Sequence, residues 1–289
     1  MAATHDSYYL PSPSRWPITG SIGLFTLLGG FAILLNGSSA GKWLMIAGAL
    51  IVMHMLFGWF GTVIRESEGG TYNDQVDVSF RWGMGWFIFS EVLFFAAFFG
   101  ALFYIRVLSV PWLGGEGVGG IATGPVLWPG FEAVWPTNGP NAVGGAFETI
   151  PAFGLPALNT LILLSSGVTV TLAHHALKHD NRKGLIGWLF ATVALGITFL
   201  FVQGFEFHHA YAELNLTLGS GAYGSTFFML TGFHGLHVTI GAIMLTVMLI
   251  RAMKGHFTPK HHFAFEAAAW YWHFVDVVWL GLFIFVYWL

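Results

Sequence analysis

The chain has 289 residues, of which 55% are hydrophobic and only 9% are charged. Soluble domains are about 25% charged, so this composition excludes an ordinary water-soluble fold and favours a protein that lies in lipid. The net charge of -3 offers no basic surface for nucleic acid, and the absence of cysteine excludes disulfides, thiolate metal sites and iron–sulfur clusters.

Seven apolar stretches are each long enough for a helix that crosses a hydrocarbon layer of about 30 Å. They lie near residues 17–36, 42–64, 82–108, 155–177, 185–207, 224–250 and 267–289. Because they are too long and too evenly apolar for barrel strands, they predict an all-α membrane protein with seven transmembrane helices. The first residues lack a basic region followed by an apolar core, so we expect no cleavable signal peptide.

The spacing of these stretches predicts how the chain is divided into helical units and loops. The expected parts are a cytoplasmic tail 1–16, a two-helix unit 17–64, an inner loop 65–81 and a five-helix bundle 82–289 with a Gly- and Pro-rich outer loop 109–154. Gly83, Gly85 and Gly100 in the third span either permit close helix contact or are simply tolerated in a membrane helix.

The basic residues predict the orientation of the chain. If the N-terminus is inside, the inner side collects nine of the 11 Lys and Arg residues, and only Lys42 and Arg106 lie outside. The positive-inside rule therefore predicts a cytoplasmic N-terminus and an outer C-terminus.

Ionisable groups at membrane depth are costly and are candidates for function. Glu91 follows Trp82 by nine residues, which places it about 13 Å into the layer at the rise of an α-helix. It is either a proton-relay group or a protonated carboxyl that joins two helices by a hydrogen bond.

Other polar groups lie later in the sequence. His273 and Asp276 are three residues apart and share one helix face, where they form either a buried structural pair or a contact to another subunit. A second set lies in the fifth and sixth spans and is either an interhelical hydrogen-bond cluster or a metal site. Its members are Gln203, Glu206, His208, His209, His234 and His237.

Trp59, Arg65 and Glu66, near the inner end of the second span, form an aromatic and charged edge that suits either a phospholipid head group or ordinary anchoring at the interface. Histidines within the spans are adjacent or three apart, whereas a haem-binding bundle needs pairs two to four turns apart on two helices. We therefore expect no haem ligand in this chain.

Several motifs resemble one known family in the same order along the chain. They are VIRES from Val63, FSEVLFF in the third span, TLAHHAL from Thr171, STFFMLTGFHGLHVTIG from Ser225 and HHFAFEAAAWYWHFVDVVWL from His261. These stretches closely resemble subunit III of cytochrome c oxidase. The resemblance covers 42–108 and 155–289 well, and the N-terminal tail and the loop 109–154 poorly.

The resemblance implies a core subunit of the enzyme that passes electrons from cytochrome c to O2, with haem and copper held by subunits I and II and none in this chain. It implies that spans 1–2 are separated from spans 3–7 by a V-shaped cleft that holds phospholipids. Glu91 matches the family's buried carboxylate. Trp59, Arg65 and Glu66 match lipid-contacting positions, to which Arg251 is added, whereas Gly69 and Gly70 stand near where mitochondrial members carry histidines.

The leading interpretation is a non-redox subunit that binds subunit I, holds lipid and supports proton uptake. Carboxylates and histidines of the inner loops would collect protons, and these are Glu66, Glu68, Asp74, Asp77, His179, His261 and His262. The long loop 109–154 favours a bacterial plasma membrane over a mitochondrial inner membrane. The alternatives are the third subunit of a quinol oxidase, a transporter, for which the sequence shows no internal repeat, and a haem-carrying anchor.

Overall fold

The structure is a computed structural model that describes residues 12–289, so most of the predicted tail 1–16 lies outside the described residues. Within the described part, the regular structure is helical and seven helices are long and apolar enough to cross a membrane. They are α1 (Trp16–Leu35), α2 (Ala40–Glu68), α3 (Asp74–Tyr104), α4 (Leu155–Lys178), α5 (Arg182–Ala212), α6 (Gly221–Lys254) and α7 (Phe263–Leu282). The predicted all-α fold with seven transmembrane helices is confirmed.

Two of these helices continue through wider turns. A π-helical segment Ile105–Ser109 and a short helix Val110–Leu113 extend α3, and a π-helical segment Phe283–Trp288 extends α7. The third and seventh spans are longer than the apolar stretches 82–108 and 267–289 that predicted them, because each helix begins among the polar residues before its apolar stretch.

The connection between α2 and α3 shows this difference best. It covers only residues 69–73, whereas the sequence assigned 65–81 to an inner loop. Gly70 adopts a positive φ of 68° after the end of α2, a conformation that glycine reaches without strain. The Asn73 side chain accepts a hydrogen bond from the Val76 amide at 3.0 Å, which caps the first turn of α3.

The described chain divides into two compact units, the first ending at Phe80 and the second running from Arg81 to Leu289. In the first unit, α1 and α2 approach closely at glycines: a Cβ on Gly30 would lie 2.7 Å from the amide nitrogen of Met45. In contrast, a Cβ on Gly83, Gly85 or Gly100 would meet nothing within 4 Å. The interpretation that these three glycines mediate close contact is therefore wrong for contacts within the described chain.

The core of the second unit lies among α4, α5, α6 and α7. Trp272 and Trp279 of α7 are almost fully buried there. The indole nitrogen of Trp272 donates to Ser166 Oγ at 2.8 Å, and that of Trp279 donates to Thr160 Oγ1 at 2.9 Å. Each large ring therefore fills the core while its one polar group is satisfied by α4.

The long loop before α4 is ordered against the same unit. Trp135 and Phe147 pack on Tyr223 with ring centroids 5.6 Å apart in each case. The Asn215 amide donates to the carbonyls of Gly144 and Ala146 at 3.0 and 2.8 Å. These contacts tie the loop to the start of α6.

At the other end of this unit, the guanidinium of Arg182 donates to the Met253 carbonyl at 2.6 Å, and Arg81 forms an ion pair with Glu266. The start of α5 therefore meets the end of α6, and the start of α3 meets the start of α7. We call this the basic end, defined by Arg81, Lys178, Arg182, Lys183, Arg251, Lys254 and Lys260.

Candidate functional site

Glu91 of α3 and His237 of α6 form a direct polar contact inside the membrane-spanning part of the second unit. His237 Nε2 lies 2.8 Å from Glu91 Oε2. The side chain of His237 is 10% exposed and that of Glu91 is 21% exposed, so the chain encloses most of both. The sequence placed Glu91 at this depth but did not identify its partner, which lies 146 residues away.

The contact of the second ring nitrogen of His237 limits the protons of this pair to two arrangements. His237 Nδ1 lies 2.7 Å from the carbonyl oxygen of Phe233, and a carbonyl can only accept, so Nδ1 carries a proton. In a neutral ring Nε2 is then an acceptor, and Glu91 must be protonated to donate to it. In a charged ring Nε2 donates to the Glu91 carboxylate. Either way the pair is neutral overall and holds one proton between its two members.

Aromatic rings surround this proton. Phe94 and Phe95 of α3 lie with ring centroids 5.7 and 4.9 Å from that of His237, and Tyr271 of α7 stacks on the same ring at 6.4 Å. Such an apolar enclosure strengthens the hydrogen bond and makes a separated charge costly. The arrangement can hold a proton at membrane depth, and it joins α3 to α6.

Glu206 belongs to a different cluster. It is fully buried, accepts a hydrogen bond from the Tyr287 hydroxyl at 2.5 Å, and is 3.2 Å from the Gln203 amide nitrogen. Tyr287 was not singled out as the partner of Glu206, because the two residues are 81 positions apart and hydropathy does not show which helix faces meet. His209 instead pairs with Glu213 at 3.1 Å.

His234 is separate again. Its Nε2 lies 3.2 Å from the Val275 carbonyl oxygen, and its ring packs against Trp279 at 5.0 Å. The metal site that the sequence offered as an alternative for Glu206, His234 and His237 is therefore not assembled, because these side chains bind three different partners.

His273 and Asp276 are close together on α7. His273 Nδ1 lies 3.5 Å from Asp276 Oδ2, and its Nε2 lies 3.2 Å from Thr171 Oγ1 of α4. Asp276 is buried, whereas the side chain of His273 is 46% exposed. The pair therefore lies at the edge of the bundle and faces both α4 and the surroundings of the chain.

In the first unit, a cavity of about 450 Å³ lies at the end of α2. Trp16, Trp59, Thr62, Arg65 and Glu66 are among the residues that line it. Thr62 Oγ1 accepts from both Trp16 Nε1 at 3.2 Å and Arg65 Nη2 at 3.0 Å. The cavity therefore combines a fixed guanidinium with aromatic walls.

Two residues of the sequence hypotheses lie where they were not expected. Arg251, grouped with the lipid-contacting positions, is a buried residue of the second unit whose guanidinium lies 4.7 Å from the Phe257 ring centroid. His262, grouped with exposed proton collectors, is only 9% exposed because it starts α7 with its ring turned inward. His261, its neighbour, is exposed.

His262 meets two groups at the basic end that the sequence analysis did not single out together. His174 Nε2 of α4 lies 3.4 Å from His262 Nε2. Glu266 Oε1 lies 3.5 Å from the first of these nitrogens and 3.7 Å from the second. Two features of the sequence could have indicated this group. They are the histidine doublets 174–175 and 261–262, and Glu266 four residues after His262.

Seven apolar helices, whose carboxyl groups Glu91, Glu206 and Asp276 each contact another side chain, define a multi-pass helical membrane protein. The model of the cytochrome c oxidase subunit III family matches residues 5–289. It therefore extends over the loop 109–154 and most of the N-terminal tail, where the sequence motifs gave only a poor resemblance.

Full-length relatives agree with this match. Cytochrome c oxidase subunit 3 of Oncorhynchus clarkii is 41% identical over 289 residues, which cover 100% of this chain and 99% of the relative. The proteins of the same name from Gadus morhua and Dugong dugon are each 41% identical over 288 residues, which cover 99% of this chain and 98% of the relative. The chain belongs to the cytochrome c oxidase subunit III family, and it is a subunit of a haem–copper oxidase complex.

Proposed function

We propose that this chain is the non-redox third subunit of a proton-pumping terminal oxidase that passes electrons from cytochrome c to O2. Its own part is to stabilise subunit I, to hold structural phospholipids and to support proton uptake. Family membership supports the placement in the complex. The observation that carries the proton-related part is the 2.8 Å contact between the Glu91 carboxyl and the His237 imidazole, two groups able to hold a proton, in an apolar enclosure.

Purification of this chain in mild detergent tests its place in the complex. We expect haem- and copper-bearing subunits to accompany it and the preparation to consume O2 with reduced cytochrome c. Consumption with a quinol but not with cytochrome c would instead establish the related quinol oxidase. A chain that purifies alone and colourless would contradict both.

Removal of the subunit tests its support of proton uptake. Acidic groups flank the connection between α2 and α3, among them Glu68 at the end of α2 and Asp77 in the first turn of α3. They would collect protons when few are free in solution. We expect an oxidase without this chain to lose turnover and proton uptake most at high pH. Equal proton uptake by the oxidase with and without this chain across the pH range would contradict this part of the proposal.

The cavity at the end of α2 supports the lipid-binding part. Arg65 supplies a charge for a phosphate, and Trp16 and Trp59 supply amphipathic walls of the kind found at the membrane interface. We expect Arg65→Gln to lower the amount of phospholipid that mass spectrometry finds in the purified complex. Lys42→Gln, at the opposite end of α2, is the matched control, and an equal loss in both variants would contradict a specific site.

A further inference from the structure

We propose that His174, His262 and Glu266 bind a divalent transition-metal ion at the basic end of the second unit, with Zn²⁺ as the ion of best fit. This group is the one set of three or more metal-ligating side chains whose ligand atoms converge within 4.8 Å among the described residues. It is independent of the Glu91–His237 pair and of the lipid cavity.

The ligand types and distances fit a tetrahedral ion. Imidazole nitrogen and carboxylate oxygen are both ligands of Zn²⁺, and two histidines with one glutamate form a known three-ligand set with a fourth position left for water. Ligands about 2.0–2.1 Å from a tetrahedral ion lie about 3.3–3.4 Å from one another. The three separations here are 3.4, 3.5 and 3.7 Å, so the side chains are already close to that arrangement.

The surrounding contacts orient two of the ligands. His262 Nδ1 lies 3.0 Å from the Thr258 carbonyl oxygen and therefore carries the proton, which leaves the Nε2 lone pair facing His174 and Glu266. Glu266 divides its two oxygens: Oε2 pairs with Arg81, and Oε1 faces the two imidazoles. Ligating carboxylates and histidines are commonly held in this way by outer partners.

The position of the site favours binding of an ion from the aqueous phase. His262 and Glu266 have side chains only 8% and 12% exposed, whereas His174 is 22% exposed and leaves one side open. The nearby charges of Arg81 and Lys178 oppose a cation, so we expect zinc that a strong chelator can remove. Bound zinc would join the end of α4 to the start of α7.

The two histidine doublets provide matched controls. In each doublet one member points into the site and its neighbour, His175 or His261, is exposed. The oxidase complex containing this chain is stripped with a chelator, loaded with Zn²⁺, desalted and analysed for zinc by mass spectrometry. We expect His174→Gln and His262→Gln to lose one zinc per complex, with a Kd raised about 100-fold or more, whereas His175→Gln and His261→Gln keep it.

Equal zinc content in all four variants, or loss only in the two control variants, would overturn the site. Zinc K-edge X-ray absorption of the unmodified complex provides a second measurement that does not depend on the folding of any variant. The first zinc equivalent should show two imidazoles and a low coordination number. A shell of six oxygens, or a single imidazole, would also overturn the proposal.

Discussion

At the scale of single residues, Glu91 and His237 stabilise the bundle as a pair. A buried polar group that loses its partner costs about 1–3 kcal/mol, whereas removing both partners together costs far less. We therefore expect Glu91→Leu and His237→Phe each to destabilise the chain by about 1–3 kcal/mol. The double variant should lose clearly less than their sum, as measured by unfolding of the full chain in detergent.

His273→Phe is the control for this cycle. His273 pairs with Asp276 rather than with Glu91, so its effect should add to that of Glu91→Leu within about 0.5 kcal/mol. Additive losses for Glu91→Leu and His237→Phe would show that the contact contributes no coupling energy. In that case the 2.8 Å contact would not act as a stabilising pair.

Tyr287 tests the second buried carboxyl. Its hydroxyl donates to Glu206, and its ring packs against Phe227 and Trp279 at 5.2 and 5.9 Å. Tyr287→Phe keeps the ring and removes only the donor, so we expect a loss of about 1–3 kcal/mol in the same unfolding measurement. Tyr211 is 51% exposed, and its hydroxyl accepts from the Leu218 amide at 3.2 Å near the surface. Because water can replace that partner, Tyr211→Phe should cost much less. An equal cost for both would contradict the buried hydrogen bond.

At the scale of elements, α5 and α7 pack at a glycine. A Cβ on Gly196 would lie 2.7 Å from Trp272 Cη2, and that indole is fully buried and cannot move aside. We expect Gly196→Ala to destabilise the second unit by about 1–3 kcal/mol through overpacking. The heat stability of the purified chain measures this effect.

Gly204 of the same helix is the matched control. Nothing lies within 4 Å of a Cβ at that position, and the residue is exposed. Since alanine favours a helix over glycine by about 0.8–1.0 kcal/mol, Gly204→Ala should leave stability unchanged or raise it. A loss of stability equal to that of Gly196→Ala would mean that the contact with Trp272 does not decide the outcome.

The helices were predictable from sequence because each must present about 20 apolar residues to lipid. The partners of polar side chains were not, because hydropathy gives neither the rotation of a helix nor its neighbours. His234 and His237 are three residues apart on α6, yet one reaches the Val275 carbonyl and the other Glu91. The sequence analysis placed both residues in one cluster because of their spacing, whereas in the structure they contact different partners.

The helix ends were missed for a related reason. Apolar stretches mark where lipid begins, but α2 and α3 continue as polar turns and leave a connection of only five residues. His262 was grouped with exposed residues because it was assigned to an inner loop. It is buried at the start of α7, where its ring nitrogens contact Thr258 and His174.

At the scale of the whole molecule, the second unit has strongly unequal charge at its two ends. The basic end collects seven Lys and Arg residues, whereas the opposite end has Arg106, which donates to the terminal Leu289 carbonyl at 2.6 Å. Positive residues are retained on the cytoplasmic side of membrane proteins, so this asymmetry predicts that the basic end faces the cytoplasm. The candidate zinc ligands would then meet cytoplasmic metal.

The absence of native cysteine allows a direct test of this orientation, because any introduced thiol is the only one in the chain. Asn141→Cys lies in the exposed loop before α4, and Lys260→Cys lies exposed at the basic end. A maleimide that cannot cross the membrane should label the first variant in intact cells, and the second only after permeabilisation. The reverse pattern would place the basic end outside. Labelling of both variants in intact cells would contradict the three spans, α4 to α6, that separate the two positions.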